Sequence, residues 1–261
     1  MSSAAAGVEV RRPGAPPVLI AAIVLAWTVA VAAEISGTAS LLHHDALIHA
    51  HLPMWVALGL FVGAWQLMIV AMMLPSSLPL IRLFRVAASN QPRSGRAIAG
   101  LLIGYSAVWT AFGALAFLGD VGIHALVHRW PWLAANPQAL SGSVLVLAGA
   151  FQFSTLKERC LSECRHPATF LLHHYGRGAL AAFRLGRMHG LFCLGCCWAL
   201  MLVGFAAGVA NLWWMAALTA LMVYEKTGRN GDRGVAPVGV GLILAGVLSF
   251  VLPEVLSFGA P

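Results

Sequence analysis

Charged residues are scarce in this sequence of 261 residues. Asp, Glu, Lys and Arg together make up 10% of the chain, whereas hydrophobic residues make up 60%. Soluble domains have about 25% charged residues, so this composition excludes a soluble globular domain. It predicts a chain that is embedded in a lipid bilayer along most of its length.

Several motifs of nucleotide-binding and hydrolytic enzymes are absent as well. The sequence has no Walker-type phosphate loop, dinucleotide fingerprint, Gly-x-Ser-x-Gly elbow or His-Glu-x-x-His pair. These absences argue against a hydrolase and against a nucleotide-driven pump, so enzymatic activity is not the favoured interpretation. The net charge of +7 comes without a basic helix or an aromatic stacking module, and no nucleic-acid partner is expected.

Long uncharged stretches predict about seven membrane helices, since about 20 apolar residues cross the hydrocarbon core. The stretch from 190 to 224 would be about 52 Å long as one helix, so it is predicted to form a hairpin that turns at 208–211. The fold class is therefore all-α, a polytopic helical bundle of one membrane domain between tails 1–17 and 253–261. The predicted spans are about 18–42, 54–74, 97–118, 138–156, 190–208, 211–224 and 235–252.

The basic residues predict the orientation of this bundle. Every Lys and Arg except Arg129 falls in alternate gaps between the spans, beginning with Arg11 and Arg12. Cytoplasmic loops carry such an excess of basic residues. The N-terminus is therefore predicted to be cytoplasmic and the C-terminus periplasmic, in a bacterial inner membrane.

Two segments need a separate interpretation. Residues 165–190 are too polar to span and too apolar for a free loop, which predicts an interfacial helix in the headgroup plane. The N-terminal region also fits a cleaved signal peptide, because a basic pair (Arg11 and Arg12) is followed by an apolar run and by the small residues Ala30-Val31-Ala32. The apolar run continues past Glu34 to Leu42, which favours a membrane span.

All five cysteines lie near two adjacent span ends on the predicted cytoplasmic side. Cys160 and Cys164 are one helical turn apart, and Cys193, Cys196 and Cys197 have the spacing i, i+3, i+4. Each group shares one face of its helix. Their odd number and their reducing compartment argue against a disulfide framework, so we expect the thiols to converge.

Other soft or polar side chains approach the same edge, which predicts a metal site. Thiolate and thioether sulfurs select Cu(I), and thiolates also suit zinc or iron–sulfur clusters. A copper(I)-binding site is therefore favoured over a zinc or iron–sulfur site. The candidate ligands are Cys160, Cys164, His189, Cys193, Cys196, Cys197, Met68, Met72 and Glu225, with His166, His173 and His174 nearby.

These residues resemble a bacterial family of predicted metal-binding integral membrane proteins of unknown function. The matching motifs are Trp65-xx-Met68-xx-Ala71-Met72-Met73-Leu74-Pro75, Cys160-xxx-Cys164-Arg165, His189-Gly190-xx-Cys193-x-Gly195-Cys196-Cys197-Trp198 and Glu225-Lys226. The resemblance covers residues 55–250. It implies that the chain binds a metal.

Three functions are compatible with the sequence. The first is handling of a soft metal, with copper transported, delivered or inserted and a metallochaperone or a respiratory complex as partner. The second is thiol oxidation by Cys193 and Cys196, a Cys-x-x-Cys pair. The third is an accessory subunit of a membrane complex, in which the cysteines only pack.

The opposite side of the membrane carries a second polar cluster. Histidines four residues apart can share a divalent ion, although a His-rich loop is commonly just solvated. Glu34 would be a functional candidate if it lay inside the bilayer. The cluster consists of His43, His44, Asp45, His49, His51, His124 and His128.

Overall fold

The computed structural model describes residues 16–38, 53–206 and 211–251, with the backbone alone at 205 and 206. All regular secondary structure in these ranges is helical, which confirms the predicted all-α fold class. The helices are α1 (Pro17–Ile35), α2 (Met54–Met72), α3 (Leu74–Ala88), α4 (Ser94–Arg129), α5 (Pro131–Ala135), α6 (Gln138–Gln152), α7 (Thr155–Arg165), α8 (Pro167–His174), α9 (Ala179–Ala206), α10 (Leu212–Thr227) and α11 (Gly231–Val251).

Five of the described helices are long and apolar enough to cross a membrane, namely α1, α2, α4, α9 and α11. A sixth span results if α6 and α7 count as one helix that is bent by 65°. Helix α10 has 16 residues, fewer than the about 20 needed for a full crossing. The chain is thus a multi-span helical protein, and its orientation stays a prediction.

Several helix boundaries differ from the predicted spans. Helix α9 begins at Ala179 rather than at residue 190, so the predicted interfacial segment is divided between α8 and the first turns of α9. Alanines favour helix, and Gly178 supplies the left-handed φ of +92° just before α9. Helix α3 forms where no element was predicted. The predicted turn at 208–211 lies outside the described residues except for Asn211, which caps α10.

Helices α4 and α9 cross with their backbones in contact. A Cβ atom at Gly104 would overlap the Phe183 carbonyl oxygen, and one at Gly186 would overlap the Leu101 carbonyl oxygen. Small residues permit this close approach between membrane helices. Further along α9, Cys193, Cys196 and Cys197 are buried inside the bundle.

Buried aromatic residues join α2 to α4 and build the rest of the central core. Trp65 Nε1 donates to the Trp109 carbonyl oxygen at 2.9 Å, and Phe61 packs against Phe117 with ring centroids 4.9 Å apart. Helix α1 is attached to the same core, because Trp27 Nε1 donates to the Ala71 carbonyl oxygen at 3.1 Å. The cysteines form the polar end of this core.

Candidate functional site

Three thiols of α9 lie on one buried face of the helix. Cys196 Sγ donates to the Cys193 carbonyl oxygen at 3.1 Å, and Cys197 Sγ donates to the same oxygen at 2.7 Å. These bonds to the preceding turn hold both side chains against the helix. All three thiols are at most 1% exposed.

A continuous series of sulfur atoms runs from α7 through α9 to the junction of α2 and α3. Cys164 Sγ is 4.0 Å from Cys196 Sγ, and Cys196 Sγ is 3.9 Å from Cys197 Sγ. Cys197 Sγ is in turn 3.9 Å from Met73 Sδ. We call Cys164, Cys196, Cys197 and Met73 the sulfur cluster.

Lys226 adds a positive charge beside these sulfurs. Its Nζ atom donates to Cys193 Sγ at 3.1 Å, to Cys197 Sγ at 3.4 Å and to Ser76 Oγ at 3.3 Å. Cys193 Sγ also has a hydrogen bond of 3.1 Å with Tyr105 Oη. Because Lys226 is 5% exposed, its charge acts on the sulfurs with little screening by water.

The neighbouring residue, Glu225, belongs to a second buried pair. Its Oε2 atom accepts from Lys157 Nζ at 2.7 Å, and both side chains are at most 2% exposed. Arg165 Nη1 donates to the Glu225 carbonyl oxygen, and Arg165 Nη2 donates to that of Gly228 at 3.1 Å. These bonds fix the end of α10 against α7 and thereby position Lys226.

Cys160 lies beside the cluster rather than within the series of sulfurs. Its Sγ atom packs directly over Gly195, where a Cβ atom would come within 2.5 Å. Gly195 therefore lets α7 approach α9, and this approach brings Cys164 to Cys196.

The other predicted ligands have different partners. Met68 and Met72 are buried in the same core as the cysteines, but the methionine in contact with a thiol is Met73. His189 Nε2 shares a hydrogen bond of 3.1 Å with Ser77 Oγ, and its ring stacks on Tyr105 with centroids 5.6 Å apart.

Two of the histidines near the cysteines in sequence bond within their own helical turns. His166 and His174 bond through Nδ1 to carbonyl oxygens of their own helical turns, at 2.8 and 3.0 Å. On the other side, His124 Nδ1 lies 3.0 Å from the carbonyl oxygen of Asp120. Residues 43–51, with five members of the predicted outer cluster, lie outside the described residues, and Glu34 is exposed on α1.

In the part of the chain that the structure describes, no three His, Cys, Asp or Glu side chains are grouped closely enough to hold a metal ion. Binding of a metal ion therefore requires either the thioether of Met73 as a further ligand or a small movement of the thiols. Sequence reasoning missed Met73 and Tyr105 as contacts of the thiols. The Met72-Met73 doublet before Pro75 was a signal for the first, whereas nothing marks Tyr105.

Comparison with known proteins identifies the family of this chain. A family model described as "PpoB2: Copper chaperone" matches residues 62–249, a range that includes all five cysteines, Met73 and Lys226. No curated protein and no solved structure is significantly similar to the chain.

Proposed function

Because the chain belongs to the PpoB2 copper chaperone family, we propose that it binds copper(I) and hands it on at the cytoplasmic edge of a bacterial inner membrane. The sulfur cluster of Cys164, Cys196, Cys197 and Met73 holds the ion. Copper is the cargo of the protein, not a resident cofactor. Thiolates and thioethers are the soft ligands that select Cu(I).

The spacing of the sulfur atoms is the observation that carries this proposal. Metal–thiolate bonds are about 2.3 Å long, so three sulfurs in a plane around one ion lie about 4.0 Å apart. Successive members of the sulfur cluster are separated by 3.9 to 4.0 Å. Each successive pair therefore has the separation of two ligands of one ion, and a third ligand in the same plane requires a small movement of these side chains.

Charge balance gives Lys226 a role in the loaded state. Two thiolates around one copper(I) ion carry a net charge of minus one, which is costly to bury without compensation. Lys226 Nζ lies 3.4 Å from Cys197 Sγ and supplies the opposite charge. Glu225 acts on the site indirectly, because its pairing with Lys157 holds the end of α10, and with it Lys226, in place.

A route to the cluster follows from the methionines of α2. Met68 and Met72 precede Met73 and are buried in the same core. Thioethers bind copper(I) less tightly than thiolates, so an ion would move from Met68 and Met72 toward the cysteines. Cys160, packed over Gly195, and His189, stacked on Tyr105, would support the site from outside the sulfur cluster. The acceptor would be a soluble metallochaperone or a respiratory complex.

The two other functions predict different behaviour of the same thiols. A thiol oxidoreductase needs Cys193 and Cys196 to form a disulfide, yet Cys193 contacts Tyr105 and Lys226, and Cys196 contacts Cys164 and Cys197. An accessory subunit would retain its function without any thiol. Both alternatives are separated from copper binding by the following measurement.

The test is elemental analysis of the full chain, purified anaerobically in detergent and loaded with copper(I) in the presence of a weak chelator. We expect wild type to retain copper stoichiometrically and the variant Cys164→Ser/Cys196→Ser/Cys197→Ser to lose it. His166→Ala is the matched control, because this exposed histidine follows Cys164 but does not touch the sulfur cluster. Equal copper in wild type and the thiol variant, both with native helix content, would remove the proposal.

A further inference from the structure

A cavity of about 610 Å³ lies beside α7, and no residue of the sulfur cluster lines it. Its walls come from the bend between α6 and α7, from α7 itself and from the start of α11. Cys160 and Cys164 face α9, whereas Glu158, Ser162 and Arg165 of the same helix line the cavity. The cavity is therefore distinct from the proposed copper site.

Gln152 marks this cavity as a binding site. Its side chain lines the wall and is 4% exposed. Neither Nε2 nor Oε1 has a hydrogen-bond partner among the described residues. Buried amides are almost always paired, so this side chain offers one donor and one acceptor to a ligand.

Charges of both signs surround the same space. Arg165 and Arg229 supply guanidinium groups, and Glu158 and Asp232 supply carboxylates. Arg165 is fixed by the carbonyl oxygens of Glu225 and Gly228 and lies 3.6 Å from Asp232. Lys157 also lines the cavity, but Glu225, which does not, neutralises its charge. The balanced lining fits a ligand with an anionic and a cationic group better than a simple anion.

The position of the cavity fits a molecule at the membrane surface. The bend between α6 and α7 carries Phe153 and Leu156, which are 54% and 53% exposed, and α7 beyond it is rich in charged residues. A helix N-terminus also favours an anion, and Ser154 at the start of α7 lines the cavity. The cavity thus lies where an apolar helix surface meets a polar one.

We propose that this cavity binds a small zwitterion that pairs an oxyanion with a primary ammonium group, as in phosphoethanolamine. The oxyanion contacts the guanidinium of Arg229 and the Gln152 Nε2 donor. The ammonium group contacts the carboxylates of Glu158 and Asp232. The zwitterion comes either from a lipid headgroup or from a soluble molecule with the same chemistry.

Binding assays without copper test this proposal, so the result is independent of the proposed function. The full chain in detergent is titrated with phosphoethanolamine, and the chain in phosphatidylcholine nanodiscs is titrated with added phosphatidylethanolamine, with lipid retention read by native mass spectrometry. Gln152→Met removes the donor and the acceptor at similar length. Gln138→Met is the matched control, because Gln138 lies on the same helix but outside the cavity.

We expect Gln152→Met to weaken binding about tenfold, as the loss of one or two hydrogen bonds requires, and Gln138→Met to leave it unchanged. If Gln152→Met weakens binding in both titrations, the site recognises the headgroup chemistry shared by both probes. If it weakens binding in the nanodisc titration alone, the ligand is the lipid. Phosphocholine should bind more weakly, because its quaternary ammonium donates no hydrogen bond to the carboxylates. The proposal would be overturned if wild type bound neither probe or if Gln152→Met bound them as tightly as wild type. It would also be overturned if wild type bound inorganic phosphate as tightly as phosphoethanolamine.

Discussion

The ε-ammonium nitrogen of Lys226 lies 3.1 Å from the Sγ atom of Cys193 in the interior of the protein. The two residues are on different helices, α10 and α9, and both are buried. A positive charge in such a place has to be matched by nearby negative charge. The thiols around it are the groups that can provide this charge, so Lys226 and the cysteines depend on one another.

Replacement of Lys226 by Met should weaken copper(I) binding. Without the ammonium group, the net negative charge of two thiolates and one copper(I) ion stays uncompensated. We expect about tenfold weaker affinity, which corresponds to a loss of about 1.4 kcal/mol of binding free energy. Competition with a copper(I) chelator measures this change. Lys226→Arg keeps the charge and should bind more tightly than Lys226→Met. Equal affinities of Lys226→Met and wild type would contradict the role of the charge.

Cys196→Ser should weaken copper(I) binding much more than Cys160→Ser. Cys196 Sγ is 4.0 Å from Cys164 Sγ and 3.9 Å from Cys197 Sγ, whereas Cys160 packs over Gly195. Outer-shell changes weaken metal binding by about 10- to 100-fold, so loss of the central ligand in Cys196→Ser should exceed about a hundredfold. Cys160→Ser should cost less. Equal losses in the same chelator competition would place Cys160 within the ligand set.

Local spacing made part of the site predictable. Cys193, Cys196 and Cys197 share a face because helix geometry places i, i+3 and i+4 together. The direction of the fourth sulfur, that of Met73, was not predictable in the same way. Helix α2 ends at Met72 and α3 begins at Leu74. Met73 therefore lies at a break between two helices, where helical periodicity does not determine the direction of a side chain.

Contacts between distant parts of the chain were not predictable from one sequence. Tyr105 meets Cys193 because α4 and α9 cross at their glycines, and the choice of this helix pair depends on the whole bundle. The start of α9 was placed too late for a related reason. Arg184 and Arg187 were assigned to the headgroup plane, yet they lie in the first turns of a helix that continues to Ala206.

Ala substitution at the glycines where α4 and α9 cross should lower the stability of the protein, whereas the same substitution elsewhere in a helix should raise it. Gly→Ala within a helix normally stabilises it by up to about 1 kcal/mol. Gly59 on α2 has open space around it and should follow this rule. Gly104→Ala instead places a methyl group against the Phe183 carbonyl oxygen, and such overpacking costs about 2 kcal/mol. Thermal unfolding in detergent compares the two variants, and equal shifts would mean that the helices do not touch there.

The buried pair of Lys157 and Glu225 should show strong coupling in a double-mutant cycle. Glu225→Gln leaves the ammonium group of Lys157 buried without its counter-charge, and breaking such a pair costs about 3 kcal/mol. Replacing both members, as in Lys157→Met/Glu225→Gln, removes both charges and should recover most of this loss, and Lys157→Met alone completes the cycle with wild type. Chemical unfolding of the four proteins in detergent gives the coupling energy.

The same four proteins also separate stability from copper binding. If the pair acts only by holding α10 in place, the double variant should regain copper(I) affinity along with stability, because Lys226 again lies beside Cys193 and Cys197. If Glu225 were itself a copper ligand, as the sequence predicts, the double variant would fold normally and still bind copper weakly. The 2.7 Å bond between Lys157 Nζ and Glu225 Oε2 favours the first outcome, since it already engages the carboxylate.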